Sequence, residues 1–450
     1  MLSNSEVLDV AGRIWSGSRA ESRRLDRVNQ YVTGEYPSQA YVPEKARAEY
    51  LAILARSRVP VLSLVVDSLA QRLFVDGYRP SRQATNSPLW EHWQANRMDA
   101  RQSGVHRSAA TFGAGYCVVL PGDPVPVWRP VSARRMTAVY EDRSADQWPV
   151  FALESWTQGS PSGPVPMLRL YDEVGRYDIA QASVWQVTRI DEHGLGVCPV
   201  VRFCGPDDLD RGPVGAVEPL IPMQDQIDAS TYYTEMAQQY AVHRQRWVTG
   251  LAIPTDDDGN EIEPYRAAIS RLWQSENPDT RFGEFAQTDI KAWLDAREAS
   301  LRHMAIKSQT PPASLLGNLV EMSAEALAAA EIGHTRLVGE YQASLGESWE
   351  QAFRLSAMCA GDEVGAADES AQVVWRDTEA RSLAAVADAL GKLQQNLGIP
   401  ARGLWEKIPG VTDQDLAAWE SLAAEGDAMS NLNRILDEQL RGAPAPSPVA

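Results

Sequence analysis

The side chains that could do chemistry are spread thinly along the 450 residues, and none of them falls into a known catalytic or metal-binding spacing. The six histidines form no HExxH motif, so metal-dependent hydrolysis has no visible ligand set. The four cysteines, Cys117, Cys198, Cys204 and Cys359, form no CxxC pair, and the pair at 198 and 204 has no histidine at zinc-finger distance. Cys117 and Cys359 lie in apolar runs, so we expect them to pack as small buried apolar side chains. The sequence therefore predicts no catalytic residue, no metal, no cofactor and no enzymatic activity.

Two short motifs resemble ligand-binding loops but fail on spacing. Residues 112–117 (FGAGYC) lack the third glycine of a dinucleotide-binding loop, and the β-branched residues that follow predict a strand. The acidic run 255–263 (TDDDGNEIE) puts Glu261 where a calcium-binding EF-hand loop needs glycine, and Ala267 where it needs glutamate. Because Asp and Asn beside Gly are typical of tight turns, we interpret this run as a turn.

Charge is distributed unevenly along the chain. The net charge is −18, and residues 121–359 alone carry −14, which excludes a protein that coats nucleic acid electrostatically. The first helical stretch, 3–30, differs because it carries Arg19, Arg23, Arg24 and Arg27 on one flank. We interpret this flank as a solvated face, with contact to phosphates or acidic partners as the alternative.

The longest strongly apolar stretch, 59–66, is far shorter than the roughly 18 residues that a membrane span needs. The N-terminal residues also lack the charged-then-apolar pattern of a secretory signal. We therefore expect no membrane partner, and a protein that stays in the cytosol or is released by lysis.

The hydrophobic periodicity predicts an α+β fold that is mainly helical. Prolines at 311 and 312 must end a helix, and Ser323 offers an N-cap for the next one, whose apolar stripe includes His334, Tyr341 and Trp349. The predicted segments are helices at 3–30 and at 44–73 with a break near Pro60, antiparallel strands over 111–201, a helix at 223–247, a small acidic module at 248–285, a helix at 288–308, a loop at 309–320, a helix at 323–360, a short strand near 371–375, helices at 378–397, 401–407 and 412–440, and a disordered tail at 441–450.

This order of segments resembles the portal proteins of tailed double-stranded DNA bacteriophages, of the siphovirus type. Residues 308–331 (SQTPPASLLGNLVEMSAEALAAAE) are similar to the portal segment where the second stem helix meets the tunnel loop. Residues 221–233 (IPMQDQIDASTYY) are similar to the start of the first stem helix. The resemblance divides the chain into a wing (1–216 and 323–375), stem helix 1 (217–247), a clip (248–287), stem helix 2 (288–308), a tunnel loop (309–322), a crown (376–440) and a disordered tail (441–450).

The resemblance also implies a function. Portal subunits form a homo-oligomeric ring, usually dodecameric, at one capsid vertex, and double-stranded DNA passes through it without sequence specificity during packaging and ejection. The clip would dock the large terminase subunit and later the head-completion adaptor, while the wing would contact the major capsid protein and the scaffolding protein. The protein would be found in the virion, and in the host cytoplasm during assembly.

Site residues follow from this division. Channel-facing positions would be Lys291, Arg297, Arg302, Lys307 and Asn318, although salt bridges between subunits through Asp295 and Glu298 explain the basic residues equally well. The clip residues expected to dock terminase or the adaptor are Asp256, Asp257, Asp258, Glu261, Glu263, Arg266 and Arg271. The alternative is another helical adaptor or assembly protein of the virion, which we would expect to lack the β-rich segment 111–201.

Overall fold

A computed structural model describes residues 1–39, 48–81, 87–159, 163–181, 183–206, 210, 212–242, 246–250, 278–284, 290–317, 324–376, 383–408, 411, 415–416 and 418–425. The chain divides into two compact units, Met1–Arg376 and Asp377–Ala450.

The first unit begins with helices whose ends lie at residues that favour helix ends. Ser3 and Glu6 form a capping box that starts the first helix, and Pro60 lies in the predicted break before Leu62. The helices up to the first sheet are α1 (Asn4–Gly17), α2 (Arg19–Thr33), α3 (Ala48–Arg56), α4 (Leu62–Ala70), α5 (Trp90–Ala95) and α6 (Met98–Phe112).

The predicted antiparallel β region is confirmed and forms two sheets. β1 (Val75–Arg79) precedes this region, whose strands are β2 (Ala114–Leu120), β3 (Val127–Ser132), β4 (Met136–Val139), β5 (Phe151–Gln158), β6 (Val165–Tyr171), β7 (Gly175–Gln181), β8 (Trp185–Glu192) and β9 (Val200–Cys204). One sheet has the order β3-β2-β9, and the other is a meander from β4 to β8. The strand predicted after FGAGYC is β2, and it follows α6 directly.

Helices and short strands complete the first unit. They are α7 (Ile221–Val242), β10 (Arg246–Thr249), β11 (Arg281–Glu284), α8 (Lys291–Lys307), α9 (Pro312–Leu316), α10 (Ala324–Ala360), α11 (Glu363–Ala366) and β12 (Gln372–Trp375). β12 pairs antiparallel with β1, so Val373 lies opposite Tyr78 and the last strand of this unit joins its first strand in a two-stranded sheet.

Several elements differ from the sequence prediction. The single helix predicted at 3–30 is two helices, α1 and α2, which meet at Ser18, and α5 and α6 lie in a stretch for which no element is predicted from the sequence. The helix predicted to run to Trp247 is wrong at its end, because Arg246 and Trp247 belong to β10 and pair with β11. The segment predicted as an uninterrupted loop after residue 308 contains the short helix α9, which begins at Pro312. Proline is tolerated in the first turn of a helix, so the second proline starts a helix where the sequence indicated only a break.

The core of the first unit is an aromatic cluster around α10. Trp349 and Phe353 of this helix contact Trp93 and Trp128, and Phe203 packs on Trp349. All five side chains are fully buried. At about 1.5 Å per residue, a 37-residue helix reaches roughly 55 Å, so α10 extends well beyond this core.

The second unit contains α12 (Leu383–Leu397) and a 3₁₀ helix at Ala401–Lys407, as predicted. Of the third predicted helix, residues 415–416 and 418–425 are described as helical, and Trp405 meets Trp419 edge to face. The predicted tail lies outside the described residues. No helix in the described part of the chain is long and apolar enough to span a bilayer.

Candidate functional site

The rest of the unit covers only part of the helix pair α7 and α8. The last turns of α8 bury Leu301, Met304 and Ala305, whereas its first six residues are all exposed. In that exposed half, Trp293 and Leu294 are 40% and 45% exposed, and Trp293 approaches Tyr233 of α7 at 6.3 Å between ring centroids. We call Tyr233, Trp293 and Leu294 the uncovered stem face. Apolar side chains that are exposed side by side in this way are available for contact with another molecule.

A buried polar network fixes the start of α7 to the N-terminal helices. Asp228 accepts hydrogen bonds from the Tyr36 hydroxyl, from the Val59 backbone N–H at 3.0 Å and from the Gln224 side chain at 3.0 Å. Gln224 in turn exchanges bonds with the Val59 carbonyl and the Val61 N–H at 2.8 and 3.1 Å. Because the partners outside α7 are Tyr36, Val59 and Val61, the network holds the base of α7 against the segment that precedes α4.

Burial sets the electrostatics of this network. Desolvation raises the pKa of Asp228, although its hydrogen bonds from Tyr36, Val59 and Gln224 oppose the shift. Burial, followed by the bond to Asp228, also raises the pKa of Tyr36, so the phenol stays protonated and donates. Two ion pairs that are more exposed than this network support the same junction. They join Arg24 to Glu218 and Arg56 to Glu235.

The chain turns sharply where α8 ends. Gln309 has a φ of 52°, a left-handed conformation that non-glycine residues seldom adopt. The next residue, Thr310, is 3% exposed, and its N–H donates to the Ala305 carbonyl at 3.0 Å. Pro311 and Pro312 follow and lead into α9. The turn is held from the other side by His334 of α10, whose Nδ1 lies 3.1 Å from the Gln309 carbonyl.

The predicted basic residues of α8 do not share one face. Lys291 and Arg302 are exposed and lie eleven residues apart, which is about three turns, so they project to the same side. Arg297 instead lies on the stripe of Leu301 and Met304, and its Nε is buried without a hydrogen-bond partner. Lys307 projects to another side and donates to the Pro219 carbonyl at 2.9 Å.

Glu298, which the sequence offered as a salt-bridge partner between subunits, has a partner in its own helix. It pairs with Arg302, four residues further along, at 2.6 Å. Asn318 and the docking residues expected in the clip lie outside the described residues. These docking residues are Asp256, Asp257, Asp258, Glu261, Glu263, Arg266 and Arg271.

Of the two cysteines predicted to be buried, Cys117 is fully buried and Cys359 is only partly buried. Cys198 and Cys204 are buried as well, and none of the four, all of which the structure describes, forms a disulfide. Burial raises the pKa of Cys117 to about 12, so this thiol is not a nucleophile near neutral pH. Within the described residues, no three His, Cys, Asp or Glu side chains come together as a metal site would require.

Sequence reasoning missed the residues that organise this region. Asp228 and Tyr36 were not singled out, because each becomes notable only through a partner 192 residues away. His334 was placed on the correct apolar stripe of α10, and a histidine on such a stripe is a signal for a buried hydrogen-bond partner.

An anchored helix pair with an uncovered apolar face is a feature that subunits of larger assemblies share. The chain matches the family "Phage portal protein, SPP1 Gp6-like" over residues 12–430, and it belongs to that family. The portal protein of Mycobacterium phage D29 is 25% identical over 408 residues, covering 85% of this chain and 83% of that protein. The portal protein of Mycobacterium phage L5 is 25% identical over 355 residues, covering 74% and 71%.

A solved structure, "Neck of native GTA particle computed with C12 symmetry", aligns with a TM-score of 0.43 and 14% identity, covering 81% of this chain and 92% of that chain.

Membership of this family confirms the predicted function. The chain is a phage portal protein, a component of the virion that forms the channel through which DNA is packaged. Portal proteins are structural proteins that act as homo-oligomeric rings and associate with the capsid and with terminase.

Proposed function

We propose that α7 and α8 are the two stem helices of a dodecameric portal ring and that the uncovered stem face packs on the neighbouring subunit. The observation that carries this proposal is the contrast along α8, where the first six residues are all exposed and the last turns bury one side, through Leu301, Met304 and Ala305. Burial of Trp293 and Leu294 against a second copy would remove apolar surface from water at about 25 cal/mol per Å². The rigid junction at Asp228 would hold every stem at the same angle.

The other parts of the portal architecture follow the chain order. The wing comprises 1–216 and 323–375, the clip begins after α7 and extends to 287, the tunnel loop lies at 309–322, and the crown lies at 376–440. β10 and β11 close the base of the clip, because Trp247 pairs with Gly283 across the two strands. The crown would contain α12 and the 3₁₀ helix that follows it.

The negative charge of the chain suits a channel through which DNA must slide. The net −14 of residues 121–359 repels phosphates and avoids the tight, salt-dependent binding that a basic groove would give. Lys291 and Arg302 share an exposed side of α8, so they are the pair that we assign to the channel wall. Arg297 is assigned to packing between helices, because it lies on the buried stripe.

Partners are assigned by region. The clip would dock the large terminase subunit during packaging and the head-completion adaptor afterwards, through the acidic residues at 256–263 together with Arg266 and Arg271. The wing would contact the major capsid protein and the scaffolding protein, as the ring assembles in the host cytoplasm.

The test of ring formation is the native mass of the purified protein, with negative-stain microscopy of the same fraction. We expect closed rings near twelve times the mass of the 49.5 kDa chain. The double variant Trp293→Ala, Leu294→Ala should yield smaller species. The control Val184→Ala, at a 61% exposed position next to β8, should leave the rings intact. A wild-type monomer or dimer, even with scaffolding protein added, would contradict the proposal.

The test of the clip is a deletion that keeps its base. Replacing residues 251–279 by a short Gly-Ser linker leaves the paired strands β10 and β11 in place. We expect this variant to form rings that no longer retain terminase in a pull-down. Retained terminase would show that docking occurs elsewhere on the ring.

A further inference from the structure

His334 joins three elements of the first unit. It is 1% exposed on α10, and its Nδ1 lies 3.1 Å from the carbonyl of Gln309, the residue that turns the chain after α8. Its Nε2 lies 3.3 Å from the hydroxyl and 3.2 Å from the carbonyl of Ser68 on α4. Gln309 and Ser68 therefore contact opposite edges of one buried ring.

The protonation state of His334 follows from this geometry. Burial lowers the pKa of His334, so the ring is neutral and carries one N–H. With the proton on Nδ1, the ring donates to the Gln309 carbonyl and accepts from the Ser68 hydroxyl, while Nε2 faces the Ser68 carbonyl without a proton between them. With the proton on Nε2, the ring donates to the Ser68 carbonyl, but Nδ1 faces the Gln309 carbonyl and the Ser68 hydroxyl loses its acceptor on the ring. We assign the proton to Nδ1, because that form makes one more hydrogen bond. The nearby charges, Arg72 and Glu331, pair with each other at 3.3 Å.

The bond to Gln309 acts on a stiff segment. Gln309 holds a left-handed φ of 52°, and the two prolines that follow Thr310 each have a restricted φ. A rotation at Gln309 therefore moves 310–316 together and is not absorbed along the chain. α9 starts at the second proline, so its direction depends on the turn at Gln309.

We propose that His334 is a positioning residue of the channel, whose Nδ1–H bond to Gln309 fixes the direction in which the tunnel loop leaves stem helix 2 and so sets the bore through which DNA moves. This inference depends on the proposed function, because 309–322 is a tunnel loop only in that architecture. In a ring, the same rotation at Gln309 is repeated in every subunit, so a small change in one turn alters the whole bore.

Two substitutions separate the two hydrogen bonds of His334. In His334→Asn, the side-chain N–H₂ takes the place of Nδ1 and keeps the donor to Gln309. In His334→Gln, the longer amide takes the place of Nε2 and keeps the contact with Ser68 instead. Ser68→Ala is the matched control, since it removes the hydroxyl partner of Nε2 and leaves the Gln309 bond intact.

The readouts are ring mass, melting temperature and DNA packaged per prohead, measured by nuclease protection with purified terminase. We expect His334→Asn and Ser68→Ala rings to package within twofold of the wild type, and His334→Gln rings of similar melting temperature to package at least tenfold less. Equal packaging by all three would overturn the proposal. Wild-type rings that support no packaging would instead contradict the proposed function.

A second variant tests the stiff segment without touching the buried histidine. Pro312 is exposed at the start of α9, so Pro312→Gly loosens the segment while the core stays intact. We expect normal ring mass and at least a fivefold loss of packaged DNA. Packaging at the wild-type level by Pro312→Gly rings would show that the direction of 310–316 does not control the bore, even where the His334 variants fail to fold.

Discussion

The indole Nε1–H of Trp349 donates a hydrogen bond of 2.9 Å to Nε2 of His106, and both side chains are fully buried. The other nitrogen of His106, Nδ1, donates to the Leu73 carbonyl at 3.0 Å. Both bonds require a neutral imidazole with its proton on Nδ1. α10, α6 and the segment before β1 are thus connected through one ring, and its protonation would break a bond at the centre of the aromatic core.

Acid should therefore destabilise the first unit through His106. Burial lowers the pKa of His106 from 6.5 to about 4, so the unfolded chain takes up a proton before the folded one does. Stability from this group is complete above the unfolded pKa, is lost progressively as the pH falls below 6.5, and stops changing below about 4. The expected loss is about 3 kcal/mol.

This loss can be measured by urea unfolding of wild type and His106→Asn at pH 7.5, 5.5 and 4.5. The variant has no titrating ring, so the difference between the two proteins isolates His106 from the acidic residues. The advantage of the wild type should shrink as the pH falls. A difference that stays constant across this range would contradict a neutral, buried His106.

The junction at the base of α7 should depend on the hydrogen bonds that Asp228 accepts more than on its negative charge. Asp228→Ala leaves three donors without an acceptor, and we expect a loss of about 2–4 kcal/mol in the free energy of unfolding. Asp228→Asn keeps one carbonyl oxygen for the Val59 N–H and the Gln224 amide, so its loss should be smaller.

The pH dependence of Asp228 has the opposite sign to that of His106. Burial raises the pKa of the Asp228 carboxyl, so the folded state binds its proton more readily than the unfolded chain. The stability of wild type relative to Asp228→Asn should therefore be greatest at low pH and decline as the pH rises through the folded pKa. Urea unfolding of both proteins at pH 4 and pH 7 measures this, and a decline on acidification would rule out a raised pKa.

Local pattern was enough to predict most helices of this chain, and the wrong end predicted for α7 has a physical cause. The stripe of α10 with His334, Tyr341 and Trp349 was readable because helical periodicity is local. The end of α7 was missed because no proline or glycine lies between residues 243 and 247, and β10 exists only by pairing with β11 more than 30 residues later.

The candidate site shows the same division between local and distant information. The turn after α8 was predicted from Pro311 and Pro312. Its attachment to His334 and Ser68 was not, because Ser68 and His334 are 266 residues apart and no local pattern pairs them. Likewise, the sequence shows the basic residues along α8, but that the Nε atom of Arg297 is buried depends on packing that no local pattern shows.

Gly215 should tolerate no side chain. A Cβ at this position would lie 2.0 Å from the Thr111 carbonyl oxygen, at the end of α6, where the Ala216 N–H also donates to the Ala110 carbonyl at 2.8 Å. Because the obstacle is backbone, Gly215→Ala should lower the free energy of unfolding by about 3 kcal/mol or more.

Gly12 provides the matched control for this prediction. It lies inside α1, and a Cβ added there would have no neighbouring atom within 4 Å, so Gly12→Ala should raise stability by up to about 1 kcal/mol. Thermal unfolding of both variants beside the wild type provides the measurement, and a neutral Gly215→Ala would mean that the contact of residues 213–216 with α6 is loose.

Arg302 should matter for DNA movement and hardly at all for folding. Its ion pair with Glu298 is exposed, with side chains 62% and 40% accessible, and such pairs on a helix contribute only about 0.3–0.5 kcal/mol. Arg302→Ala and Glu298→Ala break the same pair, so both should leave the melting temperature nearly unchanged. They differ in the charge that they leave on the proposed channel wall, since the first removes a cation and the second frees it.

If Arg302 faces DNA, the rate of packaging should change in opposite directions in these two variants, and the difference should shrink as salt rises from 50 to about 200 mM because phosphate contacts weaken with ionic strength. Single-prohead packaging at two salt concentrations provides the measurement. Identical rates for Arg302→Ala, Glu298→Ala and wild type at low salt would place Arg302 away from the DNA path and return the basic residues of α8 to contacts between subunits.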